Sequence, residues 1–253
     1  MVIVHLNATQ WEVLLSTLFE EIDYRATPIG AISLRRRRIL ALDQDVYEII
    51  LGDEHLMSSL FNASEIALAK LGLEAHGGKA LDVVVGGLGL GYTAGAVLEH
   101  DNVASLTVVE FLDAVIDWHV EGLVPLDPPL LKDKRCRVIQ GDFFELAASE
   151  KGFDVLEPAR LLDAILIDID HAPDWLLDER SGGFYSFEGL EKLTRHLKPG
   201  GVMGLWSDKL EDKEFTQRLA GVFDKAWAEP VTFHNPLQDK PFTQTVYLAL
   251  KKS

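Results

Sequence analysis

The stretch LDVVVGGLGLGYTAG, residues 81–95, decides how this chain folds. LDVVVG is a short apolar run closed by glycine, the pattern of a buried strand, and YTAG opens a helical segment directly after it. Gly87, Gly89 and Gly91 leave the bend without side chains, so a ligand can lie against backbone N–H groups at the N-terminus of the following helix. Strand, glycine turn and helix in that order read as a nucleotide or nucleoside site. A second apolar run, ASLTVVE at 104–110, ends in Glu110, about 20 residues past the turn. At that spacing a carboxylate reaches ribose hydroxyls in a doubly wound sheet. The same turn contains Gly89-x-Gly91-x-x-Ala94, which matches the dinucleotide fingerprint and keeps a nicotinamide-dependent oxidoreductase among the readings.

Downstream the rhythm is regular. Strands are expected at 81–86, 104–110, 136–140, 162–168 and 201–206, alternating with helices at 91–100, 112–121, 142–149 and 186–197. That alternation predicts an α/β fold with a parallel sheet covered on both faces. Lys198-Pro199-Gly200-Gly201 is expected to stop one helix and turn the chain into the fifth strand. After a helix at 211–227, strands at 230–234 and 243–250 follow without a helix between them and predict an antiparallel closing hairpin.

Upstream, Thr9 and Glu12 make a capping-box pair ahead of WEVLLSTLFEEI, an amphipathic helical pattern. Residues 29–51 read as a small β-hairpin region, and 57–73 as a helix. The four arginines at 35–38 alternate faces if extended and read as a charged, exposed edge strand, with an anion site as the rival reading. We divide the chain into residues 1–75, holding the first helix, the small β-region and a linking helix, and residues 76–253, the nucleoside-binding domain.

With 253 residues and 47% hydrophobic content the chain can bury one large core. A net charge of −16 repels a phosphate backbone, which excludes nucleic acid as a general partner and suits a cationic small molecule. The single Cys136 sits in an apolar strand and reads as a packed thiol. The opening residues lack a signal-peptide pattern and no apolar run reaches membrane-spanning length, so the sequence reads as cytoplasmic, with no membrane partner.

In an open α/β sheet the ligand lies at the carboxyl ends of the strands. Gly141-Asp142-Phe143 follows the third strand. Asp142 either accepts from an adenine amino group, with Phe143 packed on the ring, or caps the next helix. Asp168-Ile169-Asp170-His171 follows the fourth. Asp168, directly after the buried run AILI, reads as a general base, an orienter of a cationic group or a turn former, and its position favours a catalytic role. Asp170 and His171 add a carboxylate and an imidazole at the same mouth, without the spacing of a metal signature. Trp206-Ser207-Asp208 follows the fifth strand. Gly182-Gly183-Phe184-Tyr185 reads as a mobile lid or as an ordinary loop before a helix.

The ordered segments GGLGLGYT, VVEFLD, QGDFFE, AILIDID and HLKPGG, with the late strand pair, resemble the seven-stranded, Rossmann-like fold of class I S-adenosylmethionine-dependent methyltransferases. More closely they resemble the spermidine synthase-like family of polyamine aminopropyltransferases, from about Thr27 onward. The resemblance implies a transferase of polyamine biosynthesis that uses decarboxylated S-adenosylmethionine, or S-adenosylmethionine itself, as co-substrate, and a homodimer. It assigns Glu110 to the ribose, Asp142 to adenine and Asp168 to catalysis, with Asp170 and His171 assisting and an amine as acceptor. Three departures concern the amine half. Leu90 stands where the family has an amine-binding aspartate, Met57 and Ser58 where it has a tyrosine and a histidine, and DSSDP has become Asp168-Ile169-Asp170-His171-Ala172-Pro173. Methyl transfer to a small molecule, or nucleoside binding without catalysis, are the alternatives these departures leave.

Overall fold

The computed structural model describes residues 18–154 and 156–252. At its centre lies β5 (Leu81–Gly86), and side-chain alternation explains why every residue of VVV is apolar. Val83 and Val85 enter one core while Val84 enters another on the opposite face of the sheet. Strand β8 (Leu162–Ile167) divides the same way, Ala164 and Leu166 to one side and Ile165 and Ile167 to the other. A strand covered on both faces needs apolar residues in both phases, each contributing about 1.5–3 kcal/mol when fully buried.

Seven strands run in the order β10-β11-β9-β8-β5-β6-β7, where β6 is Val103–Glu110, β7 Cys136–Gln140, β9 Leu197–Ser207, β10 Lys225–Asn235 and β11 Lys240–Leu250. Strands β5 to β9 are parallel, β11 is antiparallel to β9, and β10 closes the edge as the expected hairpin. The chain leaves β5 toward β6 and β7, then returns to lay β8 on the other side of β5. The crevice at this reversal opens above the glycine turn and Asp168.

One face carries α1 (Ala63–His76), α2 (Tyr92–Leu98) and α3 (Asp113–Glu121), which bury Leu68, Leu73, Val97 and Trp118. The other carries α4 (Phe143–Ala148), α5 (Phe187–Thr194) and α6 (Lys213–Val222), which bury Phe143, Leu190, Leu193, Phe215 and Leu219. A separate antiparallel sheet, β1 (Phe19–Thr27), β2 (Gly30–Ile39), β3 (Gln44–Leu51) and β4 (Glu54–Ser58), closes over the first core through Ile32, Leu34, Ile49 and Leu51.

The amino-terminal third departs from the sequence expectations. Of the expected first helix, the capping pair at Thr9 and Glu12 lies outside the described residues, and Phe19 to Ile22 belong to β1, paired with Arg35 to Arg37 of β2. Helical periodicity and an edge-pairing opportunity compete there, and pairing wins. The arginine run is not an edge: β2 is interior, flanked by β1 and β3. Its charges are met by Glu21, Glu20 and Asp45, Glu48, and Asp43 on the flanking strands and turn, so it offers no open anion site. Met57 and Ser58 lie on β4 and not in a helix, which begins only at Ala63. Helix α1 packs on β8, β9 and β11. Strand β9 already begins at Leu197, ahead of the Pro-Gly-Gly turn expected to start it.

Candidate active site

The reversal point opens into a cavity of about 560 Å³ between the strand ends and the small sheet. Its floor is the glycine turn. Gly87 has φ 90°, and a Cβ there would stand 2.0 Å from the Asp168 carbonyl oxygen, so only glycine fits. The Gly87 N–H donates to Val109 O at 2.9 Å, and the Asp168 N–H donates to Gly86 O at 2.9 Å. These bonds lock the turn and the catalytic candidate to one another. Gly89 and Gly91 also take positive φ.

Glu110 ends β6 beneath this turn. Its Oε2 accepts from the Leu88 N–H at 2.9 Å and its Oε1 from the Leu112 N–H at 2.8 Å. Burial pushes its carboxyl up while these backbone donors pull it down. Glu110 lines the cavity and shapes it at once. Leu90 is fully buried and points into the core, not at a ligand. Its N–H donates to Met57 Sδ at 3.0 Å, so the thioether of β4 plugs the space beside Gly89.

Asp168 sits at the mouth, where Thr93 of α2 donates from Oγ1 to its Oδ2 at 2.6 Å. Burial pushes this carboxyl up from 3.8 to about 6, against the pull of the Thr93 hydroxyl. Glu65, in the first turn of α1, faces the same space, and burial, with the Asp168 charge adding, pushes it from 4.5 to about 8. Two carboxylates this close ionise one at a time. Burial raises both carboxyls, and the Asp168 charge adds to the rise at Glu65. Ser64 Oγ accepts from Trp206 Nε1 at 2.8 Å and has two acceptors for its own proton, Glu65 Oε2 at 2.8 Å and Gln244 Oε1 at 2.6 Å. A hydroxyl has one proton, so Ser64 donates either to Glu65 Oε2 or to Gln244 Oε1, and its bond to Glu65 opposes the rise of that carboxyl. Gln244 Nε2 in turn donates to Asp208 Oδ1 at 2.6 Å.

This arrangement has a stability consequence. Glu65 has a folded pKa above its unfolded one, so its contribution is full below pH 4.5 and is lost as pH rises from there through about 8. Glu65→Gln keeps the shape and an acceptor for Ser64 and removes the titration. The variant is expected to flatten that decline and to be more stable than the parent at pH 8, by on the order of 2 kcal/mol. Thermal unfolding across pH 5 to 9 checks this, and parallel curves for the two proteins would contradict it.

The remaining sequence-predicted residues sort by what they bind. Asp142 caps α4, its Oδ1 accepting from Phe144 N–H at 2.8 Å and Glu145 N–H at 3.1 Å, while the residue still lines the cavity. Phe143 is a core residue, stacked on Phe153 at 5.0 Å, and Phe144 beside it is the more open ring. Asp170 is buried and spends its oxygens on the segment that follows. Oδ1 accepts from the Leu177 N–H at 2.7 Å and Oδ2 from Tyr185 Oη at 2.7 Å. These bonds tie residues 177–185 to the end of β8, and Phe184 and Tyr185 are buried. His171 is buried beside Trp175, ring centroids 4.6 Å apart. Cys136 lies half-buried at the far edge, its thiol pushed up to about 11 by burial.

Sequence reading missed Glu65, Thr93, Gln244 and Phe61. An acidic residue in the first turn of a helix reads as a partner of the helix dipole. Only the packing of α1 over β8 and β9 turns it toward Asp168.

The chain matches the family model for the spermine/spermidine synthase domain over residues 62–219, more than half its length. A search of curated proteins finds no match. Among solved structures it is similar to a spermidine synthase in complex with the transition state analogue AdoDATO, at 18% identity and TM-score 0.70, covering 91% of this chain and 73% of that one. It is also similar to spermidine synthase from Thermotoga maritima, at 18% identity and TM-score 0.69, covering 91% and 72%. These structural matches establish the shared fold, and the matched domain establishes descent. The chain belongs to the spermine/spermidine synthase family and is a transferase of aminopropyltransferase-like type.

Proposed function

We propose that this protein transfers an aminopropyl group from decarboxylated S-adenosylmethionine to an amine. The observation that carries this reading is the Asp168 carboxylate at the glycine turn, with Glu65 and Asp208 behind it and no strong cation opposite. Among the described residues that line the cavity, Arg180 is the one arginine or lysine, and Asp178 holds it by hydrogen bonds from Nε and Nη2. A donor carrying a carboxylate finds no partner here and meets Asp168, whereas one carrying only an ammonium is attracted.

Gly87, Gly89 and Gly91 let the nucleoside approach the backbone, Glu110 accepts from ribose hydroxyls, and Asp142 accepts from the adenine amino group beside Phe143 and Phe144. The acceptor nitrogen attacks the propyl carbon on sulfur. As the C–N bond forms the C–S bond breaks, its electron pair stays on sulfur, and methylthioadenosine leaves. Asp168 takes the amine proton. Asp170 positions the segment that follows β8 and His171 faces the acceptor.

Incubation with each donor and a panel of amines, with the nucleoside product identified by mass spectrometry, tests this. Methylthioadenosine is expected from the decarboxylated donor, favoured over S-adenosylmethionine by on the order of 100-fold in kcat/KM, as a few kcal/mol of like-charge repulsion gives. S-adenosylhomocysteine from the carboxylated donor would make the protein a methyltransferase.

A further inference from the structure

One peptide of the glycine turn, Gly89–Leu90, is held at both of its poles by side chains from distant parts of the chain. On one side His119 of α3 stands with Nε2 2.9 Å from Gly89 O. A carbonyl oxygen only accepts, so Nε2 carries the proton and His119 donates. On the other side the Leu90 N–H donates to Met57 Sδ of β4 at 3.0 Å. Both side chains also pack against the turn. A Cβ at Gly89 would stand 2.4 Å from Met57 Sδ, and one at Gly91 would stand 2.9 Å from His119 Cε1. His119 is buried, and burial lowers its pKa against the pull of the Gly89 carbonyl, which favours the neutral ring.

The chain itself does not fix this peptide. Gly87, Gly89 and Gly91 all take positive φ, and glycine visits both signs of φ at little cost, so the turn has more than one low-lying arrangement. Neighbouring donors in the turn are tied close by: Gly87 N–H to Val109 O, Leu88 N–H to Glu110 Oε2 and Gly91 N–H to Leu88 O. Among the described residues neither pole of Gly89–Leu90 has a backbone partner, so its orientation depends on His119 and Met57. Gly89 lines the cavity and His119 does not. The imidazole therefore acts on a ligand only through the turn.

We infer that His119 and Met57 are positioning residues that clamp the Gly89–Leu90 peptide between them and keep the turn in the one arrangement that accepts a nucleoside. This rests on the nucleoside half of the function proposed above, whereas the clamp itself is a matter of geometry. Through Met57 the small sheet is tied to the glycine turn, so donor affinity depends on a strand outside the seven-stranded sheet.

The test uses the full chain, with methylthioadenosine as the calorimetric probe and nitrogen-15 NMR of the histidine side chains as a readout that needs no ligand. In the parent, the His119 ring is expected as the Nε2–H tautomer, and the Nδ1–H tautomer would overturn the inference. His119→Leu fills similar space and offers no donor. It is expected to weaken methylthioadenosine at least about tenfold, or about 1.4 kcal/mol, because the Gly89 carbonyl loses its partner. His119→Gln, whose amide returns an N–H, is expected to bind within about threefold of the parent. In turnover with the decarboxylated donor, His119→Leu is expected to raise the donor KM by the factor seen in binding and to leave kcat and the amine KM within about twofold. Met57→Leu is expected to weaken methylthioadenosine about threefold, and the double variant to lose less than the product of the single losses, since both side chains hold one peptide. Parent affinity in His119→Leu overturns the inference, as does a fully multiplicative double variant. A parent that binds no methylthioadenosine overturns the nucleoside reading instead. The clamp is then decided by the ring tautomer and by hydrogen exchange at the Leu90 amide, which Met57→Leu is expected to speed at least about threefold and which unchanged exchange would refute.

Discussion

Asp168→Asn is expected to lower kcat by on the order of 10² to 10⁴ while methylthioadenosine binds within about threefold of the parent. An asparagine preserves the shape and still accepts from Thr93 Oγ1, but it cannot take the amine proton. The parent should show an acid limb in kcat/KM near pH 6, where burial has placed the Asp168 carboxyl, and the residual rate of the variant should lack it. Stability moves the other way. Because the folded pKa of Asp168 lies above its unfolded value, its contribution is full below pH 3.8 and lost as pH rises through about 6. At pH 8 the asparagine variant should melt at or above the parent temperature. Full activity in the variant would remove Asp168 from the chemistry, and a lower melting temperature would remove the account of its burial.

Gly87→Ala is expected to be the most disruptive single-methyl change in the molecule. The added Cβ falls 2.0 Å from the Asp168 carbonyl oxygen at a φ of 90°, so the turn and the end of β8 must separate. We expect a loss on the order of 3 kcal/mol in stability, from strain plus the broken backbone bonds, and at least a 100-fold loss in methylthioadenosine affinity. Gly122→Ala is the matched control, since it has φ 71° with nothing within 4 Å of the new methyl. It should cost only the left-handed penalty of about 1–2 kcal/mol and leave binding intact. Thermal unfolding and calorimetry on the pair separate strain from steric conflict. Equal nucleoside binding by Gly87→Ala and the parent would refute the cradle.

Strand alternation across two cores is a local property, which is why residues 81–86 and 136–140 coincide with β5 and β7 when read from the sequence. The glycine turn, Glu110 at the end of β6 and Asp168 after β8 are local too: each follows a recognisable strand, and the doubly wound topology sends all strand ends to one side. The amino-terminal third is different. Nothing near Phe19 says that Arg35 to Arg37 will pair with it, nothing near Met57 says that a strand will lay its sulfur under Leu90, and the four arginines look like an edge until β1 covers them.

The sequence by itself determined the parallel sheet, the closing hairpin, the glycine turn and the acid that follows β8, because short-range periodicity and turn chemistry encode them. Tertiary structure alone decided the rest. It turned Glu65 toward Asp168, committed Asp170 to the segment that follows β8, buried Leu90 in the core and gathered Phe61, Trp175, Trp206, Phe233 and Phe242 around one cavity. Each of these depends on contacts between segments far apart in the chain, where burial and charge act through space and leave no local pattern to read.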